Sequence, residues 1–196
     1  MPRIVAGSAR GRRITTPPGD GTRPTSDRVR EALFGRLAHL GAVADAQVLD
    51  LYAGSGALGL EAVSRGARSA LLVESDRRAA DVIRRNVAEL GLDAQVRQTT
   101  VAQTLAGPAP HAMHLVLIDP PYAVPDEEIG RVLQALVAGG WLQVEAVVVL
   151  ERASRSPEPH WPDGLRSLES RAYGETRVWY AEYAPDDADT AEPPVL

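Results

Sequence analysis

Asp119-Pro120-Pro121-Tyr122 ends an apolar run, His114-Leu115-Val116-Leu117-Ile118, whose length and β-branched content are those of a buried strand. Two consecutive prolines lack an N–H and stop the strand abruptly. Such an ending gathers a carboxylate (Asp119), a carbonyl released from the ladder (Pro120) and an aromatic face (Tyr122) at a sheet's carboxyl edge. Open α/β sheets bind ligands at that edge. Two acceptors and a ring to stack on suit a planar base with an exocyclic amine, which makes Asp119, Pro120 and Tyr122 candidate catalytic residues. A tight turn around a buried tyrosine would use the same residue types, so the rest of the chain must separate the two.

A second cluster lies upstream. Val48-Leu49-Asp50-Leu51 reads as a strand and runs into Tyr52-Ala53-Gly54-Ser55-Gly56-Ala57-Leu58-Gly59. Gly54, Gly56 and Gly59 have G-x-G-x-x-G spacing, and Glu74 closes the next strand twenty residues after Gly54. Glycines permit a tight turn and close approach of backbone to a cofactor, and the carboxylate can accept ribose hydroxyl hydrogens. NAD-dependent dehydrogenases use the same fingerprint. Here Asp50 would repel a pyrophosphate but attract the ammonium of a methionine moiety. The chain also lacks a substrate domain of dehydrogenase size, and Asp-Pro-Pro-Tyr has no evident role in hydride transfer. These features favour S-adenosylmethionine (SAM), with Asp50, Tyr52, Ala53, Gly54, Ser55, Gly56, Glu74, Ser75 and Asp119 as candidate cofactor-binding residues.

The elements that must position these residues are legible as alternation. Strands are expected near Gln47–Leu51, Ser69–Glu74, Ala94–Gln98, Leu115–Asp119 and Ala146–Glu151, with helices near Gly56–Arg65, Asp76–Leu90, Val101–Leu105 and Asp126–Ala138. Such alternation predicts a parallel sheet covered by helices on both faces. Leu165–Tyr173 and Thr176–Tyr183 flank Gly174-Glu175, a hairpin signal that adds antiparallel strands. At the other end, Arg3 to Thr15 reads as a short basic hairpin. Thr25, Ser26 and Asp27 offer N-caps for a helix through about Leu40, with Val29, Leu33, Phe34 and Leu37 as its apolar stripe.

Composition bounds the chemistry. With 196 residues the chain suits one domain with a small appendage. The division expected is a basic extension over 1–40, a catalytic domain over 41–183 and an acidic, disordered tail over 184–196. There is no Cys, which excludes disulfides, thiolate zinc sites and a Cys nucleophile. No signal-peptide core and no bilayer-length apolar stretch is present, and the expected location is cytoplasmic. All 21 basic residues are Arg, and eight of them fall within the first 36 residues against three acids, although the net charge is -5. A basic patch on an acidic protein suggests local contact with a polyanion, and a solvated basic surface is the alternative.

Leu49-Asp50-Leu51-Tyr52-Ala53-Gly54-Ser55-Gly56, Val73-Glu74 and Asp119-Pro120-Pro121-Tyr122 together resemble class I SAM-dependent methyltransferases that act on amino nitrogens. Arg3-Ile4-Val5-Ala6-Gly7, Arg10-Gly11-Arg12 and the run from Arg23-Pro24-Thr25 to Glu31 narrow the resemblance to the RsmD family of bacterial 16S rRNA guanine-N2 methyltransferases. The Tyr173-Gly174-Glu175-Thr176 hairpin is similar as well. The resemblance covers nearly the whole chain outside the acidic tail.

It implies a Rossmann-like α/β fold, with a seven-stranded, mostly parallel sheet whose last two strands form an antiparallel C-terminal hairpin. It further implies an N-terminal hairpin-and-helix extension that helps hold RNA, with Arg10, Arg12, Arg13, Arg23, Arg28 and Arg30 as candidate phosphate contacts, some of which Asp27 and Glu31 could occupy in intrahelical pairs. The implied partner is 16S rRNA in the small ribosomal subunit or its assembly intermediate, with guanine 966 as the family's target. A monomer and a reaction without metal are expected. Many such enzymes carry an acidic residue after the third strand, near the adenine. This chain departs from that pattern with Gln98-Thr99-Thr100-Val101, where backbone groups and a Thr hydroxyl could hold the adenine, and Thr100 and Val101 join the candidate cofactor-binding residues. Adenine N6, a protein glutamine amide and a non-catalytic RNA-binding factor remain open at this point.

Overall fold

A computed structural model describes residues 2–17 and 27–185. The Arg23-Pro24-Thr25-Ser26 segment and residues 186–196 of the expected tail lie outside the described residues. Helix α1 (Asp27–His39) precedes the alternating units β1 (Gln47–Leu51), α2 (Ala57–Ser64), β2 (Ser69–Glu74), α3 (Arg77–Leu90), β3 (Ala94–Gln98), α4 (Val101–Leu105), β4 (Met113–Ile118), α5 (Asp126–Ala138) and β5 (Leu142–Ala153). Strands β6 (Leu165–Tyr173) and β7 (Thr176–Tyr183) close the chain. The seven strands form one sheet in the order β3-β2-β1-β4-β5-β7-β6. β1 to β5 pair in parallel, and β7 lies antiparallel between β5 and β6. The expected fold class is the observed one.

Alternation of side chains divides two cores across the sheet. Val48, Leu72, Leu115, Leu117, Val147 and Val149 face one cluster, together with Leu60 of α2 and Ile83 of α3. Leu49, Leu51, Val73, Val116, Ile118, Val148 and Leu150 face the other, with Ile129, Val132, Leu133 and Leu136 of α5. Ile4, Ile14, Leu33, Phe34 and Leu37 belong to the first cluster, so residues 2–17 and α1 share a core with the sheet.

Strand β5 begins four residues earlier than the apolar pattern indicates. Gln143, Val144 and Glu145 are exposed, Glu145 adopts φ 67°, and the β4 pairing shifts register between Met113 and Leu115. An exposed, irregular first half is invisible to a search for a buried run.

Candidate active site at the switch point of the sheet

β1 and β4 are central neighbours from which the chain proceeds in opposite directions, to β2 and β3 on one side and to β5 on the other. The crevice at their carboxyl ends is the place where α/β sheets take ligands. Leu51 pairs with Val73 and with Ile118. Tyr52, Glu74 and Asp119 therefore leave the edge side by side, from three adjacent strands. The Asp119 N–H points to the Leu51 carbonyl at 3.5 Å.

Backbone geometry turns the glycine loop back over this edge. Tyr52 adopts φ 62°, an unusual conformation for a residue with a β-carbon. The Ala53 N–H donates to Val73 O at 2.9 Å, and the Gly56 N–H to Ala53 O at 2.7 Å. Gly59 is held to its type by packing, since a Cβ there would lie 2.2 Å from Leu72 Cδ2 and 3.0 Å from Asp50 Oδ2. Its N–H donates to Asp50 Oδ2 at 2.9 Å.

Asp50 is buried, and burial pushes its carboxyl up to about 8. The Gly59 N–H opposes that shift, while the negative field of Asp119 and Glu74 adds to it. A cation placed among these three carboxylates would be attracted, and a pyrophosphate repelled. Glu74 accepts the Gly54 N–H on Oε2 at 2.9 Å and the Asp76 N–H on Oε1 at 2.8 Å. A carboxylate has about four acceptor positions, so both oxygens keep capacity for ribose hydroxyls. These residues fit the methionine and ribose portions of SAM.

The other predicted positions are distributed around this pocket. Ser55 and Gly54 are half-buried in the loop, and Ser75 is exposed directly after Glu74. Thr100 caps α4, its hydroxyl accepting the Gln103 N–H at 3.1 Å, while Val101 packs into the core below. Pro120 is buried, Asp119 half-buried and Tyr122 is 60% exposed, leaving its ring available for stacking. Among the described residues no His, Asp and Glu grouping suits a metal ion.

Several residues that build the site carry no motif. Asn86, on the buried face of α3, donates from Nδ2 to Ser55 O at 3.0 Å and to Thr15 O at 2.9 Å, and accepts the Thr15 N–H at 3.0 Å. It ties the glycine loop to the N-terminal segment. A polar residue on an otherwise apolar stripe was the available signal. Arg152, at the end of β5, donates to Val124 O at 2.9 Å and to Asp126 Oδ1 at 2.7 Å. It clasps the far end of the Asp-Pro-Pro-Tyr loop to the start of α5. Tyr52 reaches the same region, its hydroxyl pushed up to about 12 by burial and by the charge of Glu128.

The arginines expected at RNA divide. Arg10, Arg13 and Arg28 are exposed. Arg12 is exposed too, but its guanidinium donates to Leu90 O at 3.1 Å and to Glu89 O at the end of α3. Arg23 lies outside the described residues. Arg30 is a correction: its side chain is fully buried and cannot reach a phosphate. It donates to Arg3 O at 2.5 Å and Asp27 Oδ1 at 2.7 Å, and lies 3.6 Å from the buried carboxylate of Glu61. Glu61 in turn accepts the N–H groups of Val5 (2.8 Å) and Ala6 (3.0 Å) and the Arg65 Nε (2.7 Å). Gly7 passes so close to α2 that a Cβ would sit 1.7 Å from Ser64 O. The Arg3-to-Gly7 signature thus encodes a joint between the extension and α2. Arg30→Ala should cost about 3 kcal/mol of stability by removing one of the two guanidinium partners of buried Glu61, together with the bond to Arg3 O, and leaving a cavity; a lower urea midpoint would show it.

A family model described as Conserved hypothetical protein 95 matches residues 2–182. The chain belongs to that family. It is the RsmD family. The chain is 41% identical over 162 residues to ribosomal RNA small subunit methyltransferase D of Escherichia coli K12, covering 82% of this chain and 79% of that protein. The protein of the same name from Haemophilus influenzae is 33% identical over 160 residues, covering 79% of this chain and 80% of the relative. The solved structure of Escherichia coli yhhF superposes with a TM-score of 0.82 at 35% identity, covering 94% of this chain and 98% of that one. A hypothetical protein of Thermus thermophilus gives 0.75 at 31% identity, covering 92% and 98%. The RsmD resemblance read from the sequence is therefore correct.

Proposed function

We propose that this chain transfers a methyl group from SAM to the exocyclic N2 of a guanine in 16S rRNA, with guanine 966 as the target that the resemblance implies. The observation that carries the reading is Asp119-Pro120-Pro121-Tyr122 at the switch point, beside the acidic pocket formed with Asp50 and Glu74. The family and its rRNA-methylating relatives support it.

SAM supplies an electrophilic methyl group on a sulfonium, already activated, so the protein's task is placement. A guanine amine is a weak nucleophile because its lone pair is delocalised into the ring. Asp119 and the Pro120 carbonyl accept its two hydrogens and favour a pyramidal nitrogen, whose lone pair faces the methyl group. Tyr122 stacks on the base and fixes the line of attack. As the N–C bond forms and the S–C bond breaks, the nitrogen becomes cationic, and its extra proton leaves towards Asp119 or water. Electrostatic placement, with no strong base, supplies the acceleration.

The base must leave its stack to enter the pocket, which suits a loop or splayed nucleotide. Arg10, Arg12, Arg13 and Arg28 contact phosphates, with Arg23 in the same role. Thr100 and Val101 hold the adenine end of the cofactor. The enzyme works as a cytoplasmic monomer on the small subunit or its assembly intermediate, and no helix among the described residues is long and apolar enough to cross a membrane.

Labelled SAM incubated with unmodified small subunits, and in parallel with free 16S RNA, tests the proposal. Labelled N2-methylguanosine is expected after nuclease digestion. Label on adenosine would retain the cofactor and overturn the guanine assignment. SAM binding with no label in either RNA would overturn the RNA substrate.

A further inference from the structure

We propose that the solvent face of α3 is a phosphate track, carrying the RNA strand from the target pocket towards the N-terminal segment. The inference rests on the RNA-methyltransferase reading and extends it to a surface outside the N-terminal extension. Arg77, Arg78, Arg84 and Arg85 lie on this helix, and all four are exposed. At about 100° per residue they share one arc, opposite the buried arc of Ala79, Ala80, Val82, Ile83, Asn86 and Leu90.

Helix stability does not account for this pattern. The macrodipole favours acids in the first turn and bases in the last. α1 follows that rule with Asp27 first and Arg36 and His39 last, and α5 follows it with Asp126, Glu127 and Glu128. α3 reverses it, with Arg77 and Arg78 in the first turn and Glu89 in the last. Arg84 is paired with Asp81 at 2.6 Å. Among the described residues Arg77, Arg78 and Arg85 have no carboxylate partner, so three guanidinium forks stand free, two of them in the first turn where they weaken their own helix. A polyanion is the occupant that offsets this placement.

The position of α3 also matches the path. The helix starts just after Glu74 and Asp76, at the carboxyl edge that holds the site. It ends where Arg12 donates to Leu90 O at 3.1 Å. The 14 residues span about 20 Å, the rise of about six stacked nucleotides. Arg77 and Arg78, then Arg84 and Arg85, then Arg12 form one row from the target pocket to the extension.

The test is the double variant Arg78→Gln/Arg85→Gln, which keeps the Arg84–Asp81 pair and the helix propensity. Its KM for small subunits, or for free 16S RNA if that is the better substrate, should rise at least fivefold at low salt. The slope of log affinity for RNA against log salt should become shallower by about 1.4, the value for two single-strand phosphate contacts. SAM affinity should stay within twofold. Arg131→Gln, which removes one exposed positive charge from α5 across the sheet, should alter none of these. A double variant with unchanged KM and salt slope would overturn the track, as would an equal effect from Arg131→Gln. Failure of the wild-type protein to methylate any RNA would instead overturn the reading beneath it.

Discussion

Asp119→Ala is expected to lower kcat about 10²–10³-fold while SAM affinity changes no more than a few-fold. The carboxylate leaves the sheet beside Tyr52 and Glu74, where it can accept a hydrogen of the target amine. The glycine loop and Glu74, which hold most of the cofactor in the proposed reading, remain intact in the variant. Only interactions that strengthen as charge develops on nitrogen accelerate transfer, and in the proposed chemistry Asp119 supplies one of these. Single-turnover methylation with saturating RNA, set beside SAM titration by calorimetry, separates the two quantities. Near-normal turnover would remove Asp119 from the chemistry. An equal loss in SAM affinity and turnover would make it a cofactor residue only.

Asp50→Asn is expected to stabilise the free protein near neutral pH and to weaken SAM binding at least tenfold. Burial raises the Asp50 carboxyl from 3.8 to about 8, with the fields of Asp119 and Glu74 adding to the shift. Below about pH 4 both folded and unfolded chains hold this proton, and the group has no effect. Between about 4 and 8 the folded chain keeps a proton that the unfolded chain has released, so stability falls as pH rises. Asparagine has no proton to lose and can still accept the Gly59 N–H. Its melting temperature should therefore decline less across this window.

The cofactor titration should show the opposite trend. An arriving ammonium favours the charged carboxylate, so binding near pH 7 should release a proton, and affinity should climb towards pH 8. Above that, deprotonation of the ligand's own amine, ordinarily near 8, limits binding. The acid limb of this profile should vanish in Asp50→Asn. Calorimetry in buffers of different ionisation enthalpy reads the proton directly, and a flat wild-type profile from pH 6 to 8 would remove Asp50 from contact with the cation.

The parts of this architecture legible in the sequence are those where chain chemistry and local geometry coincide. β1, β2 and β3 match their expected bounds because each is a short run between unmistakable turn signals. The switch-point crevice follows from strand alternation plus two motifs. The remainder depends on contacts between distant segments. Arg30 stands three, four and seven residues before Leu33, Phe34 and Leu37, on the face of the apolar stripe, whereas exposed Arg28 does not; only the packing of Glu61 against it makes a charged residue tolerable there. Asn86 acquires its role from Ser55 and Thr15, which are 31 and 71 residues away. Arg152 is an ordinary strand-end arginine until α5 and the Asp-Pro-Pro-Tyr loop are packed over it. The four arginines of α3 likewise form a pattern only when the helix sets them on one exposed arc.

The paired prolines also bear on how many methyl groups one nitrogen receives. Neither Pro120 nor Pro121 offers an N–H, so this stretch of the rim presents acceptors alone. In the proposed chemistry an unmodified amine satisfies both acceptors with its two hydrogens. A nitrogen already methylated once has a single hydrogen left. Its return to the pocket would set a methyl group against one acceptor, and an acceptor buried without a partner costs about 1–3 kcal/mol. That difference corresponds to a preference of about 5- to 150-fold for the first transfer over the second. In that chemistry the arithmetic of donors and acceptors favours a single added carbon, with no need to sense the product elsewhere.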